Sequence, residues 1–329
     1  RDMSVKGYKF RLELTKHQSQ RFAGWGGVTR ALYNAALSQR IQIWDQHRVG
    51  TKYSQQSAEL KHLKAEIPYF KDAPHHILQQ KLKDLNTAYQ NFWRGTGSFP
   101  VYKKKVRNTD SFRFPDMSQI KLQQTTGKRY RQNGQLQWKG MGRVYLPKIG
   151  WLRFRQSREI PGIIRNITIT QRGGHWYASF ACEVGAINLP KATGGSVGVD
   201  RGVTYTIATS KGNLVRLNIE SIKKNEKKIS KMQAQFRNKK KFSNNWRKAQ
   251  KKINKLHRRI KNIRQDDLHK LTTNLAKNHS MVALEDLKIK NMTRSAKGTL
   301  ENPGKNVSQK SGLNRAILRN GWGYIDTML

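Results

Sequence analysis

Cysteine is nearly absent: Cys182 is the only one in 329 residues. That excludes a disulfide framework, and any zinc site built on cysteines of this sequence. A reducing, intracellular setting is the expectation. No apolar run approaches the ~18 residues of a membrane-spanning helix, and no signal peptide or lipidation motif is visible. The first residue is Arg1 rather than Met, as expected of a trimmed or partial chain. Acid is scarce too. Asp and Glu number 20 against 65 Lys and Arg, a formal charge of +45. Such an imbalance exceeds what solubility needs and points to a polyanionic partner. The cations are spread along most of the length, which suits an extended nucleic acid better than a membrane surface.

What is present fits a folded protein of two or three domains, with 36% hydrophobic and 26% charged residues. Residues 5–14 alternate polar and apolar as a half-exposed strand does. Thr15 is a plausible N-cap for a helix whose stripe runs Phe22, Trp25, Val28, Leu32, Ala35 and Ala36, then Leu37, Ile41 and Trp44. Glycines 24, 26 and 27 weaken that helix near its start. Two further helices are predicted at 54–65 and 73–93, with Tyr89, Phe92 and Trp93 read as packing rather than base-stacking residues. After Gly95-Thr96-Gly97-Ser98 comes Phe99-Pro100-Val101-Tyr102-Lys103-Lys104-Lys105, a basic cluster beside aromatics that reads as a nucleic-acid surface. Short strands are predicted at Ser111–Phe114, Gln135–Trp138, Arg143–Leu146, Trp151–Phe154, Ile163–Thr170 and Trp176–Glu183. Strand, helical insert, then more strands predicts a barrel interrupted by a helical domain. Residues 189–195 read as a linker.

The organising stretch follows: Gly198-Val199-Asp200-Arg201-Gly202, an apolar approach that ends in a carboxylate and turns into a second strand, Thr204–Thr209. A buried bare carboxylate costs several kcal/mol, so Asp200 is expected to need a metal, a partner or a hydrogen-bond nest. Gly198–Asp200, Thr204–Ser210 and Gly212–Leu217 predict a three-stranded meander, the usual opening of a ribonuclease-H-like fold. Residues 223–264 hold eighteen Lys or Arg and one acid, Glu226. Their surviving apolar stripe predicts a helical hairpin, broken near Phe242-Ser243-Asn244-Asn245, with one face docked and the other cationic. Solvated helices intersperse Glu with Lys, so this face reads as a phosphate contact, with Lys251, Lys255 and Arg259 on it. A second strand, Ser280–Leu284, delivers Glu285. Two acids ending two core strands is how a ribonuclease-H-like site gathers carboxylates around Mg²⁺. The bland alternative makes Asp200 a turn residue and Glu285 a helix cap. Residues 288–312 read as a mobile loop, and Leu313–Leu329 as one last amphipathic helix.

These segments, in this order, resemble the TnpB family, RNA-guided DNA nucleases encoded by insertion sequences and related to type V CRISPR effectors. The resemblance covers essentially the whole sequence. It rests on Ala88-Tyr89-Gln90-Asn91-Phe92-Trp93, Phe99-Pro100 with its lysines, and Leu146-Pro147-Lys148-Ile149-Gly150. It continues through Gly198–Gly202, Ile263–Thr272, Leu284-Glu285-Asp286-Leu287 and Gly321-Trp322-Gly323. It implies an α+β chain: a wedge-type β-barrel (1–14 and 98–190) interrupted by a helical recognition domain (15–97), then a RuvC nuclease domain of ribonuclease-H-like fold (191–329). It further implies a structured guide RNA, a double-stranded DNA target, a divalent metal such as Mg²⁺, and a cytoplasmic, nucleoid-associated setting. Asp200 and Glu285 match the first two catalytic acids and would hold the metal. Tyr53, Ser57, His75 and Gln79 are the nearest positional matches for reading a short flanking duplex motif. Family members continue into a zinc ribbon and a third acid in an Asp-Arg-Asp-like motif, and neither has a match here. Zn²⁺ would belong only to such a ribbon, and Asp326 reads as a surface residue. The rival readings are an RNA-guided DNA-binding protein that does not cut, such as a repressor, and a cut-and-paste transposase, for which no compact helix-turn-helix is visible.

Overall fold

The computed structural model describes residues 4–105, 110–125, 128–132, 135–185, 192 and 194–329. The chain forms two compact units, Arg1–Ile187 and Asn188–Leu329. The predicted linker at 189–195 falls largely outside the described residues.

In the first unit, strand β1 (Ser4–Glu13) leads into three helices, α1 (Lys16–His47), α2 (Tyr53–Glu66) and α3 (His75–Trp93). Seven strands follow: β2 (Ser111–Phe114), β3 (Lys121–Gln123), β4 (Lys128–Gln132), β5 (Gln135–Leu146), β6 (Gly150–Gln156), β7 (Ile163–Arg172) and β8 (His175–Val184). Thr15 caps α1 through a capping box, its hydroxyl accepting from the Gln18 amide at 3.2 Å while the Gln18 side chain accepts from the Thr15 amide at 3.1 Å. The helix runs unbroken through its glycines. Gly26 is there for space, since a Cβ would lie 2.5 Å from the Asp110 side chain.

The strands form one antiparallel sheet in the order β2-β7-β8-β1-β6-β5-β3, with β4 also on β5. Strand β1 pairs with β8 from Ser4 to Arg11 and with β6 only at Leu12 and Glu13, so the sheet curls about it into a half-barrel. Inside the curl, the rings of Phe10, Phe154 and Phe180 contact one another at 5.4–5.9 Å. Phe22 and Trp25 of α1 pack against Phe112 of β2, and Phe22 also against Trp176 of β8. The helices and the sheet therefore share one aromatic core. One exception to expectation lies at the end of α3. Tyr89 is buried, but Phe92 and Trp93 are exposed. The last turn of α3 runs past the edge of that core.

The second unit holds strands β9 (Ser196–Asp200), β10 (Ile207–Thr209) and β11 (Leu214–Val215), then helices α4 (Ile219–Arg237) and α5 (Asn244–Asn278). Strand β12 (Met281–Leu284) and helices α6 (Ile289–Met292), α7 (Val307–Asn320) and α8 (Trp322–Met328) complete it. The sheet order is β11-β10-β9-β12, with β12 parallel to β9 and the other pairs antiparallel. Val197, Val199 and Ile207 pack against Leu268, Leu271 and Leu275 of α5 and Ile325 of α8. The α4–α5 hairpin has its own seam, Ile222, Ile229, Ile253 and Ile260, and Ser243 caps α5.

Three expectations in this unit need correction. The predicted strand Thr204–Thr209 keeps only its second half. Residues 202–206 form a loop because Asn320 and Trp322 bind its backbone: Asn320 donates to the Val203 carbonyl at 3.2 Å and Trp322 Nε1 to that of Gly202 at 3.2 Å. Segment 288–312 carries structure. It contains α6 and a Gly298–Pro303 bridge, and Lys310 and Asn314 donate to the Met292 and Thr293 carbonyls. The final helix is two helices. Gly321 sits at φ +68°, where L side chains are strained, and a Cβ there would come 2.9 Å from Leu268.

Candidate nuclease site and nucleic-acid surfaces

Strands β9 and β12 run side by side with Leu284 level with Val199, so the next residue of each, Asp200 and Glu285, leaves the same end of the sheet. Both side chains border one open depression of about 480 Å³, whose walls include Thr209, Ser210 and Ala283. In β9 the side chains alternate, Val197 and Val199 inward and Ser196 and Asp200 outward. Asp200 is therefore exposed, contrary to the buried carboxylate expected from the sequence. Its strand is one-sided at this end, so the charge keeps its water and needs no neutralising partner. Nor does Glu285 cap a helix. The N-cap of α6 is Lys288, whose ammonium pairs with Asp286 at 2.5 Å. Among the described residues, no cluster of three or more His, Cys, Asp or Glu forms. Asp200 and Glu285 stand as a pair.

The residue that ties the two strand ends together is Arg201, which sequence reasoning passed over. Its side chain is 1% exposed. One guanidinium nitrogen donates to Asp326 Oδ1 at 2.6 Å, another donates to the Glu285 carbonyl, and Nε has no partner among the described residues. Arg201 thereby fastens the end of β12, and the loop after Asp200, to α8. Asp326 is not a bystander on the surface; half-exposed, it is the ion-pair partner of this buried cation. A signal was present in the sequence, an Arg directly after the strand-ending acid, but its partners lie 84 and 125 residues away.

A divalent cation is compatible with this pair. Mg²⁺ takes oxygen ligands, keeps several waters and is commonly held by one or two carboxylates. Asp200 and Glu285 supply hard oxygen donors, and the open depression leaves room for water.

The cationic residues fall on separate surfaces. Lys251, Lys255 and Arg259 recur every four residues along α5 and all three are exposed. Lys255 and Arg259 border a trough of about 730 Å³ between α4 and α5, together with Lys228, Lys231, Lys252 and Arg258, and no carboxylate lines it. Lys104 and Lys105 are exposed in the loop after α3, whereas Lys103 is fixed. Its amide and carbonyl bond the Asn34 side chain, and its ammonium lies 4.9 Å from the Tyr33 ring.

Tyr53 and Ser57 lie on α2, and His75 and Gln79 on α3. Tyr53 neighbours Lys83 at one end of this antiparallel pair, and at the other Lys64 Nζ is 2.8 Å from His75 Nδ1. Burial, then Lys64 and His76, hold the His75 imidazole below its ordinary pKa. No helix is long and apolar enough to cross a membrane among the described residues.

Known proteins align with this sequence. The family model for IS605 OrfB, described as "Probable transposase", matches residues 179–296, which include both acids and the hairpin. A model described as "Helix-turn-helix domain" matches residues 3–48, a span that holds β1 and one helix, α1, among its described residues. An Escherichia coli (strain K12) protein named "Putative RNA-guided DNA endonuclease InsQ" is 39% identical over 97% of this chain and 75% of its own length. A Streptomyces pristinaespiralis protein named "Putative RNA-guided DNA endonuclease" is 30% identical over 89% of this chain and 69% of its own. Identity at that level along nearly the whole chain carries a conclusion that the shared order of motifs had already implied: the chain belongs to the TnpB family.

Proposed function

We propose that this chain is an RNA-guided DNA endonuclease: it binds a structured guide RNA, reads a short duplex motif beside the target, and cleaves DNA by metal-dependent phosphodiester hydrolysis. The observation that carries the reading is the exit of Asp200 and Glu285 from adjacent parallel strands into one open depression. In this reading the curled sheet is a wedge-type barrel (1–14 and 98–190), helices α1–α3 are the recognition domain (15–97), and 191–329 is a RuvC domain of ribonuclease-H-like fold.

Asp200 and Glu285 would hold the divalent metal. Such an ion, when bound, supplies an activated water and neutralises charge on the leaving oxygen. The protein's own contribution is to hold the two carboxylates at a fixed spacing through the β9–β12 ladder, with Arg201 pinning the Glu285 backbone. Target sequence is read by pairing with the guide, and the cationic hairpin holds nucleic acid by its backbone. Tyr53, Ser57, His75 and Gln79 are assigned to the flanking duplex, and the loop lysines Lys103, Lys104 and Lys105 to a nucleic-acid surface. The names of the relatives support the reading, as does the +45 charge.

The test uses the chain with its co-purified RNA, a duplex complementary to that RNA beside a randomised flank, and Mg²⁺ against a chelator. Asp200→Ala is expected to abolish cutting yet keep target affinity within about twofold, because phosphate contacts elsewhere dominate affinity. Guide-dependent binding without cutting by the unaltered chain would replace the nuclease with a repressor-like protein.

A further inference from the structure

The end of α3 exposes the rings that its sequence pattern assigned to the core. Trp93 is 67% exposed, and Trp44 across from it on α1 is 51% exposed. Between them lies a cleft of about 310 Å³ whose walls include Tyr89, Phe92 and Phe99. The walls are braced. Phe99 meets Tyr89 and Phe92 edge-on at 5.6 and 5.3 Å, and Trp93 leans on Tyr89 at 5.5 Å. The buried Arg40 guanidinium packs over the Tyr89 ring at 5.1 Å. The Thr51 hydroxyl, on the same cleft, has no hydrogen-bond partner among the described residues.

Flat apolar rings held in an open cleft fit a flat apolar ligand, and the surrounding charge, with Asp45 and Arg40 on the cleft and further cations beside it, narrows the choice. Arg94 follows Trp93, and the chain runs on from Phe99 to Lys103, Lys104 and Lys105. A second copy of a +45 chain is repelled from such a surface. A single-stranded nucleic acid supplies both parts at once, base faces for the rings and phosphates for the cations, whereas a duplex hides its base faces in the stack.

We propose that the cleft between Trp44 and Trp93 is a stacking site for an unpaired nucleobase of the bound RNA. This rests on the reading that RNA is the chain's partner. Arg40 keeps the Tyr89 floor in place, and the ring faces of the two tryptophans that line the cleft receive the base.

The purified full chain is titrated with a single-stranded RNA oligonucleotide carrying 2-aminopurine, and with the same oligonucleotide made abasic at those positions. Binding should quench the 2-aminopurine, and the abasic strand should bind more weakly. Trp93→Ala and Trp44→Ala should each weaken binding by about fivefold to a hundredfold, the range for loss of one stacked base. The slope of affinity against salt should stay the same, since no phosphate contact is removed. Trp93→Phe should restore most of the loss. Both side chains are exposed, so thermal melts of the variants should match the parent.

The inference fails if the parent binds RNA and the alanine variants bind equally well, or if they lose salt dependence instead. It also fails if the parent sediments as a dimer that these variants dissociate. A parent chain that binds no RNA even at low salt overturns the functional reading itself and this site with it.

Discussion

A buried guanidinium one residue from an exposed carboxylate is an unusual neighbour, and Arg201 shows why the pair can differ so sharply. Asp200 points out of the end of β9, while Arg201 turns inward to meet Asp326 and the Glu285 carbonyl. Lysine carries one point charge on a flexible stem and cannot serve both acceptors in the planar geometry of a guanidinium. Arg201→Lys should therefore cost about 1–3 kcal/mol, the penalty for leaving shielded polar groups unpaired. Turnover should fall with target affinity nearly unchanged, because what shifts is the spacing of the carboxylates. Asp326→Asn keeps an acceptor and should be milder in both respects. Single-turnover cleavage and equilibrium binding, measured on the same preparations, check the split. Equal losses in the two would make Arg201 a stability residue only.

Among the elements, the hairpin and the α2–α3 pair make separate predictions. Lys251, Lys255 and Arg259 are exposed on α5, and changing all three to Ala should leave the melting temperature nearly unmoved. Binding should weaken about equally across guide sequences, and the log–log salt slope should drop by about 0.7–0.9 for each phosphate that is no longer neutralised. Guide-specific loss would show base reading instead.

The α2–α3 pair should be sensitive to acid. His75 has a folded pKa below its ordinary value, so as pH falls through about 6.5 the unfolded chain takes up the proton first. Stability is then present above that range and lost below it, as protonation breaks the contact with the Lys64 ammonium. Melts at pH 7.5 and 5.5 should differ more for the parent than for His75→Gln, and equal shifts would remove His75 from the account.

Much of this element structure was legible from local signals. Helical spacing and the Thr15 cap marked α1, and the Ser243-Asn244 break marked the division between α4 and α5. The two strand-ending acids marked the depression itself. Three things were not legible. Whether Phe92 and Trp93 pack or protrude depends on where the core stops, which no helical period encodes. The 202–206 loop is held by Asn320 and Trp322, more than a hundred residues on. The break at Gly321 comes from the close approach of Leu268 and Arg264, because glycine within a helical stripe is locally tolerated.

At the scale of the whole molecule, charge dominates. With 65 cations against 20 acids, the chain should leave the cell carrying a structured RNA. Its affinity for that RNA should fall linearly in log–log terms as salt rises. Nuclease treatment in high salt followed by return to low salt should give a chain that rebinds cognate RNA when it is added back. An RNA-free preparation that stays soluble at low salt and ignores added RNA would contradict this. The β9–β12 ladder adds a consequence in time. Strand β9 ends at residue 200 and its parallel partner begins at 281, with the entire basic hairpin between them. Parallel pairing of this kind must close a long loop before its contacts repay the lost entropy. Asp200 leaves the ribosome well before Glu285, and the two carboxylates meet only after the hairpin has been made and β12 has docked. The chain thus has its cationic face first, and its acidic pair comes into being late in its own synthesis.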